Sequence, residues 1–159
     1  MVKLFQGVPK ETAEILLGAQ AQFHELIENK AFEKFAEVAR PLYKVIAEDI
    51  IRQHKRLGGT FAVAQAVARR ETRDYLRSLI GPDLVFIVLN LTLDCVKERL
   101  AERHGGTVSL EEMAADLVPI YEPAGSDEEN TYNVTIEKGM DKGDVLKAVL
   151  ETITQNNIV

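Results

Sequence analysis

The chain has 159 residues, 46% of them hydrophobic and 28% charged, which is a globular composition that suits one domain with a real core. Its net charge of −6 argues against nucleic-acid binding, because an acidic chain repels the phosphate backbone. No stretch approaches the roughly 18 consecutive apolar residues of a membrane span, and no signal peptide opens the chain. The single cysteine suits a reducing compartment. We therefore expect a cytoplasmic protein without membrane contact.

The sequence up to residue 57 predicts a helical lead-in. Apolar residues recur at helical spacing over residues 9–29 and again over residues 32–57. We expect Pro41 to divide the second stretch, since proline disfavours helix in the residue before it. The pair Gly58-Gly59 then stops the helix, because glycine tolerates the left-handed backbone past a helix end.

Residues 58–159 predict strands that alternate with helices. Such an order indicates parallel βαβ units and therefore an α/β layered fold, all within a single domain of residues 1–159. The predicted elements are a buried strand at 60–66, a helix at 69–80, a parallel strand at 84–90, a helix from Thr92 to about 104, a helix at 109–121 with a Ser109/Glu112 capping box, a strand at 132–136, and a helix capped by Asp141 whose buried face carries Val145, Leu146, Val149, Leu150 and Ile153.

Complete catalytic or metal-binding motifs are not found in the sequence. The phosphate-binding pattern G-x-x-x-x-G-K-[ST] has no match, and residues 7–12 offer Gly, Lys and Thr without the second glycine or a preceding strand. The dinucleotide pattern G-x-G-x-x-G is missing too, and His24, His54 and His104 lie too far apart for a short metal motif. We therefore expect neither a catalytic constellation nor a metal site, and we interpret Cys95 as a packed helix residue.

Two arginine groups are the candidate binding residues. Arg69, Arg70 and Arg73 follow the strand predicted at 60–66, and open parallel sheets bind ligands at the carboxyl ends of their strands. Arg99 and Arg103 share one face of the helix predicted at 92–104, and guanidinium groups suit phosphate oxygens. The alternative interpretation of both groups is a solvated, charged helix surface.

Taken in chain order, several segments resemble the gluconokinase-type P-loop kinases, a group similar to the nucleoside-monophosphate kinases. Residues 66–77, A-V-A-R-R-E-T-R-D-Y-L-R, resemble the acceptor-binding segment S-A-L-K-x-x-Y-R-D-x-L-R of that family. Residues 84–90 are similar to the next core strand, Arg99-x-x-x-Arg103 with His104-Gly105 to the lid, and residues 121–123 and 132–136 to the region near the adenine. The resemblance covers about residues 32–153.

This resemblance implies a three-layer sandwich with a parallel sheet of P-loop kinase type and a lid-like helix at 93–104. It implies substrate contacts from Arg69, Arg70 and Arg73, nucleotide-phosphate contacts from Arg99 and Arg103, and ATP with Mg²⁺ as cofactors. The family's first strand and Walker A loop have no counterpart here, so the chain is either a fragment of a longer kinase or a descendant that lost catalysis.

Three functions are compatible with these features. The first is a kinase-like domain that binds a nucleotide or small phosphorylated metabolite and is catalytically incomplete. The second is a non-enzymatic interaction or oligomerisation module derived from a kinase fold, because a missing first strand would expose a sheet edge and favour homo-oligomers. The third is an active transferase with an unusual phosphate cradle near Gly7 or Gly58-Gly59.

Overall fold

The computed structural model describes residues 14, 18, 21, 22, 25, 26, 28, 29, 31, 34–65, 67–104 and 121–158, apart from the side chains of Leu100, Arg103 and His104. These residues form two compact units. The first unit contains the described residues up to Val67 together with Glu71–Gly81, and the second contains Ala68–Arg70 and the described residues from Pro82 onward.

The first unit is helical. Helix α1, Phe35–Leu57, buries four residues spaced three or four apart, and α2, Arg70–Ile80, buries Leu76 and two polar residues at the same spacing. Nη2 of Arg40 donates to Oε1 of Glu71 over 3.0 Å, and its guanidinium lies 5.6 Å from the Tyr75 ring centre. In the region predicted as helix at 9–29, the described residues from 14 to 28 are helical and residue 29 is in a turn; the remaining residues of this region lie outside the described ones. The buried residues of α1 are Ala36, Ala39, Tyr43 and Ala47.

Pro41 does not divide this helix, and that prediction is wrong. Pro41 lies inside the continuous helix α1. Proline has no N–H to donate to the carbonyl of Glu37, so the helix loses one hydrogen bond there. The buried residues on both sides of Pro41 offset this cost by packing. Gly58 ends the helix as predicted, with φ +67° and its N–H donated to the His54 carbonyl over 3.0 Å.

The prediction of a strand at 60–66 is also wrong. Residues 60–65 have no regular secondary structure, and residue 66 lies outside the described residues. Strand formation requires a neighbouring backbone, and the described part of this unit contains no other strand. The Phe61 ring stacks instead on His54, with 6.2 Å between ring centres. The side chain of Val63 is left half exposed.

The second unit is built on two parallel strands. Strand β1, Phe86–Leu91, pairs with β2, Thr131–Ile136, in a register that places Phe86 beside Thr131 and Leu91 beside Ile136. Helix α3, Leu93–His104, follows β1, and helix α4, Lys142–Gln155, follows β2. Both strands and α3 agree with the predicted elements to within two residues. Cys95, Val134 and Ile136 form the buried core, and Ile87, Met140, Val145, Ala148 and Val149 pack against it.

Both helices of this unit begin at the predicted caps. Oγ1 of Thr92 accepts the N–H of Cys95 over 3.3 Å. Asp141 accepts the N–H groups of Gly143 and Asp144, and its own N–H donates to Asp144, which completes a capping box. Each cap therefore satisfies one or two of the backbone donors that the first turn of its helix would otherwise leave without a partner.

The buried face of α4 is narrower than predicted. Val145, Val149 and Ile153 are half-buried, but Leu146 and Leu150 remain 58% and 52% exposed. The helix packs over β2, and these two leucines lie on its more exposed flank. The helix predicted at 109–121 lies outside the described residues except for Tyr121, which has no regular secondary structure.

The described residues thus form a mixed α/β structure with helices and a two-stranded parallel sheet. The α/β class and the parallel pairing of the strands are confirmed. None of the described helices combines the length and apolar character that a membrane crossing requires.

Candidate functional site

The start of α2 is the place where charged groups are most closely organised in the second unit. Its first residue, Arg70, donates its backbone N–H to Oε2 of Glu122 over 3.0 Å. Nη1 of the same arginine lies 2.9 Å from both carboxylate oxygens of Asp127. The Glu122 N–H donates to the Ala68 carbonyl over 2.7 Å, so backbone and side chains hold the two segments together. We call Ala68, Arg70, Glu122 and Asp127 the Arg70 cluster.

Helix geometry explains why carboxylates gather at this position. The first N–H groups of a helix have no partner within the helix, and the helix dipole places partial positive charge there. The guanidinium of Arg70 adds a full charge beside these donors. Glu122 therefore acts as a capping group supplied by a distant part of the chain.

A tight turn brings Asp127 to Arg70. The Gly125 N–H donates to Oε1 of Glu128 over 3.0 Å, and the Glu128 N–H donates back to the Gly125 carbonyl. A Cβ atom at position 125 would lie only 2.6 Å from Oδ1 of Asp127, so a larger residue there would displace this carboxylate from its present position. Glu128 is buried in this turn, whereas Asp127 is exposed.

Asparagine side chains fasten the loop at 121–130 to the sheet. Asn133 on β2 donates to the Ala124 carbonyl over 2.9 Å and accepts the Ala124 N–H over 3.1 Å. Asn90 on β1 donates to Oδ1 of Asn133 over 2.8 Å. The Tyr121 hydroxyl completes the network through the Asn90 side chain and the Leu89 carbonyl. The sheet thereby sets the position of the carboxylates that hold Arg70.

Electrostatics follow from this geometry. The hydrogen bond from Arg70 lowers the pKa of the Asp127 carboxyl below its ordinary range, and the positive charge of Arg70 adds to that effect. In the first unit, burial raises the pKa of the Tyr43 phenol above its ordinary value. Both shifts favour the protonation states that Asp127 and Tyr43 have at neutral pH.

The other arginines of the acceptor-like segment have different surroundings. Arg69 is half-buried and belongs to the second unit with Arg70. Arg73 belongs to the first unit, where it is fully buried on α2 together with Thr72 and Leu76. Burial of a whole guanidinium requires polar or charged partners, so Arg73 contributes to the interior of its unit rather than to its surface.

Arg99 links α3 to the turn that precedes α4. Its Nη2 donates to the Met140 carbonyl over 3.3 Å and its Nε to the Cys95 thiol over 3.4 Å. The hydrogen bond to Cys95 is the main cause that raises the pKa of the Arg99 guanidinium. Oε2 of Glu98, on the same helix, accepts the Gly139 N–H over 3.1 Å. Within the described residues Arg99 and Arg70 share no partner, and the side chain of Arg103 lies outside those residues.

A magnesium site of carboxylates is not formed by the described residues. Among them, no group of three or more His, Cys, Asp or Glu side chains is arranged to hold a metal ion. Magnesium requires oxygen ligands in octahedral geometry, and the two carboxylates nearest Arg70 are engaged by that residue. The described residues thus give no magnesium site of their own to support the Mg²⁺ that the resemblance implies, and we derive no phosphoryl-transfer step.

The carboxylate partners of Arg70 could not be chosen from the sequence. Arg70 itself was a candidate residue, and the acidic residues at 127–129 oppose it in charge, but 57 positions separate Arg70 from Asp127. The signal that could have found them is this opposition between a basic and an acidic cluster. Comparison with protein families, with curated proteins and with solved structures gives no match to this chain.

Proposed function

We propose that this chain is a P-loop-kinase-like domain, built as a three-layer sandwich around its parallel sheet, that binds a nucleotide or small phosphorylated metabolite without transferring phosphate. The observation that supports it best is the start of α2, where a backbone N–H and a guanidinium already hold two carboxylates. A helix start combined with an arginine suits phosphate oxygens in the same way.

The internal carboxylates define how a phosphate would bind. An incoming phosphate has to exchange with Glu122 at the backbone N–H and with Asp127 at the guanidinium of Arg70. Both carboxylates are tethered, so they compete at high effective concentration and keep the affinity for free anions low. Replacing Glu122 by glutamine keeps the shape of the side chain but removes its charge, and we expect this variant to bind phosphate more tightly.

The remaining residues of the proposed site follow from the resemblance. The resemblance assigns acceptor contacts to both Arg69 and Arg73, but Arg73 is fully buried in the first unit, so we keep Arg69 beside Arg70 as the acceptor contact. Arg99 and Arg103 would contact the nucleotide phosphates as a lid. ATP with Mg²⁺ is the nucleotide to test first, and its phosphates would be held by arginines alone. A chain that lacks the Walker A lysine and hydroxyl has no main holder for the β- and γ-phosphates, which is why we propose binding and not catalysis.

Isothermal titration calorimetry tests this proposal with MgATP and inorganic phosphate as separate probes. We expect millimolar or tighter binding by the wild type, loss of binding in Arg70→Ala, and tighter binding in Glu122→Gln. Arg52→Ala is the matched control, because Arg52 is an exposed arginine that pairs with Asp49 on α1. No heat with either probe in both the wild type and Glu122→Gln would contradict the proposal, as would equal losses in Arg70→Ala and Arg52→Ala.

We propose as a second candidate function a non-enzymatic interaction or oligomerisation module. It is supported by exposed leucines on two elements of the second unit, at Leu89 and Leu91 on β1 and at Leu146 and Leu150 on α4. A contiguous apolar surface on a folded protein often marks an interaction site, whereas a single exposed leucine does not. Sedimentation equilibrium over a wide concentration range tests it, and a monomer at every concentration would exclude homo-oligomers.

A further inference from the structure

We infer that the outer edge of β1 is a self-pairing surface, at which two copies of this chain join their sheets in antiparallel orientation. This inference rests on the second candidate function and specifies its interface. We call the backbone and side chains of Ile87, Leu89 and Leu91 the β1 edge.

The register of the sheet identifies which groups lie on this edge. The Phe86 N–H donates to the Asn130 carbonyl and the Thr92 N–H to the Ile136 carbonyl, so even-numbered residues of β1 direct their backbone groups to β2. N–H and C=O groups alternate sides along a strand, so the odd-numbered residues direct theirs away from β2. In the part of the chain that the structure describes, no second strand meets these groups.

Within residues 34–65, 67–104 and 121–158, a side chain rather than a paired backbone covers the middle of the edge. The Tyr121 hydroxyl shares its one hydrogen between the Leu89 carbonyl, 2.8 Å away, and the Asn90 side-chain oxygen, and it lies where a neighbouring strand would place its N–H. Natural sheets often protect open edges with side chains or loops, since unpaired edges associate. Tyr121 is thus a removable cover that an incoming strand has to displace from the Leu89 carbonyl.

The apolar face of the sheet extends to this edge, where it is only partly covered. Val134 and Ile136 on β2 are buried under the helices, whereas their neighbours Leu89 and Leu91 on β1 are each 38% exposed. Side chains of these odd-numbered residues share the face with Ile87, which packs against the core. A strand added at the β1 edge would continue this face and cover the two leucines.

The chemistry of the edge favours a second copy as its occupant. No charged residue occurs between Asp83 and Asp94, so an acidic or basic peptide finds no complementary charge on β1. In a dimer whose two-fold axis passes beside Leu89, Leu89 of one copy lies opposite Leu89 of the other. Ile87 of each copy then lies opposite Leu91 of the other copy. Each pair is an apolar cross-strand pair of the kind that stabilises antiparallel strands. The edge is therefore complementary to itself in both hydrogen bonding and side chains.

Sedimentation equilibrium on the full chain tests the inference at near-physiological salt, where the Debye length of about 8 Å screens the charge of −6 on each copy. We expect a monomer–dimer equilibrium that Leu89→Lys abolishes and that Tyr121→Phe tightens about fivefold by freeing the Leu89 carbonyl. Leu57→Lys is the matched control, since it places the same charge on an exposed leucine of α1, outside the surfaces that support the interaction module. It should leave the dissociation constant unchanged.

Residue-resolved amide exchange supplies a readout that only edge pairing produces. Protection of the Leu89 amide should rise with protein concentration, whereas the amides of Val88 and Asn90 should be protected at all concentrations, because they face β2. Dimerisation lost in Leu150→Lys and kept in Leu89→Lys would overturn the β1 edge while leaving an interaction module in place. A monomer throughout, including Tyr121→Phe, would overturn the β1 edge and exclude homo-oligomers. Unchanged or weaker association in Tyr121→Phe would contradict the role of Tyr121 as a cover.

Discussion

Asn133 is the residue whose replacement tests most directly how the sheet positions the Arg70 cluster. Its amide makes three hydrogen bonds, two with the backbone of Ala124 and one with Asn90. In Asn133→Asp the oxygen that accepts two of them remains, but the donor to the Ala124 carbonyl becomes a second oxygen. One bond worth about 1 kcal/mol is lost, and two oxygens then face each other at a place where the bond length was 2.9 Å. We expect a loss of roughly 1.5 kcal/mol in the free energy of unfolding, and roughly 2 kcal/mol for Asn133→Ala.

Urea denaturation followed by circular dichroism measures these losses, with Asn157→Asp as the control for added charge. Asn157 is exposed near the end of the chain and has φ +49°, a conformation that aspartate also tolerates, so this change should stay within about 0.5 kcal/mol. Because the loop also carries Asp127, the pKa of that carboxyl should rise in Asn133→Asp as its contact with Arg70 loosens. Equal stability of Asn133→Asp and Asn157→Asp would refute the idea that Asn133 anchors the loop.

Three further predictions follow from local contacts. Pro41→Ala restores the N–H donor to the Glu37 carbonyl inside α1. It should raise the free energy of unfolding by about 2 kcal/mol, which a higher urea midpoint would show. A lower midpoint would mean that the helix depends on the proline. Asp141→Ala removes the cap of α4 and should cost about 1 kcal/mol by the same assay, whereas Asp141→Asn keeps an acceptor and should cost much less; equal costs would argue against capping. The pKa of the Asp127 carboxyl is lowered in the folded chain, so its contribution to stability is present above the pKa of the unfolded state and is lost as the pH falls through the folded-state pKa. In Arg70→Ala, carboxyl NMR titration should show a higher pKa for Asp127. An unchanged titration would exclude Arg70 as the cause of the lowered pKa.

Local sequence signals predicted much of the second unit. The apolar run before Thr92 and the alternation before Glu137 marked the two strands, and the hydroxyl of Thr92 and the carboxylate of Asp141 marked the starts of the helices that follow. These features could be recognised because each depends on residues within a few positions of one another. Helix periodicity and capping require no knowledge of distant contacts.

Features that depend on distant neighbours could not be predicted. The segment at 60–65 has the composition of a strand but no regular structure, since a strand also needs a partner backbone. Pro41 lies within a helix because tertiary packing outweighs one missing hydrogen bond. Likewise, Leu146 and Leu150 have the spacing of buried residues yet remain exposed on the flank of α4.

The candidate site divides in the same way. Composition and residue order alone identified Arg70 as a charged residue at the start of a helix, where its guanidinium can donate hydrogen bonds. Only the tertiary structure selected Glu122 and Asp127 as its partners, because pairing across more than 50 residues depends on how the loop at 121–130 is held to the sheet. The buried position of Arg73 likewise became known only from the tertiary structure. Local chemistry thus determined which groups need partners, and long-range packing decided which partners they meet.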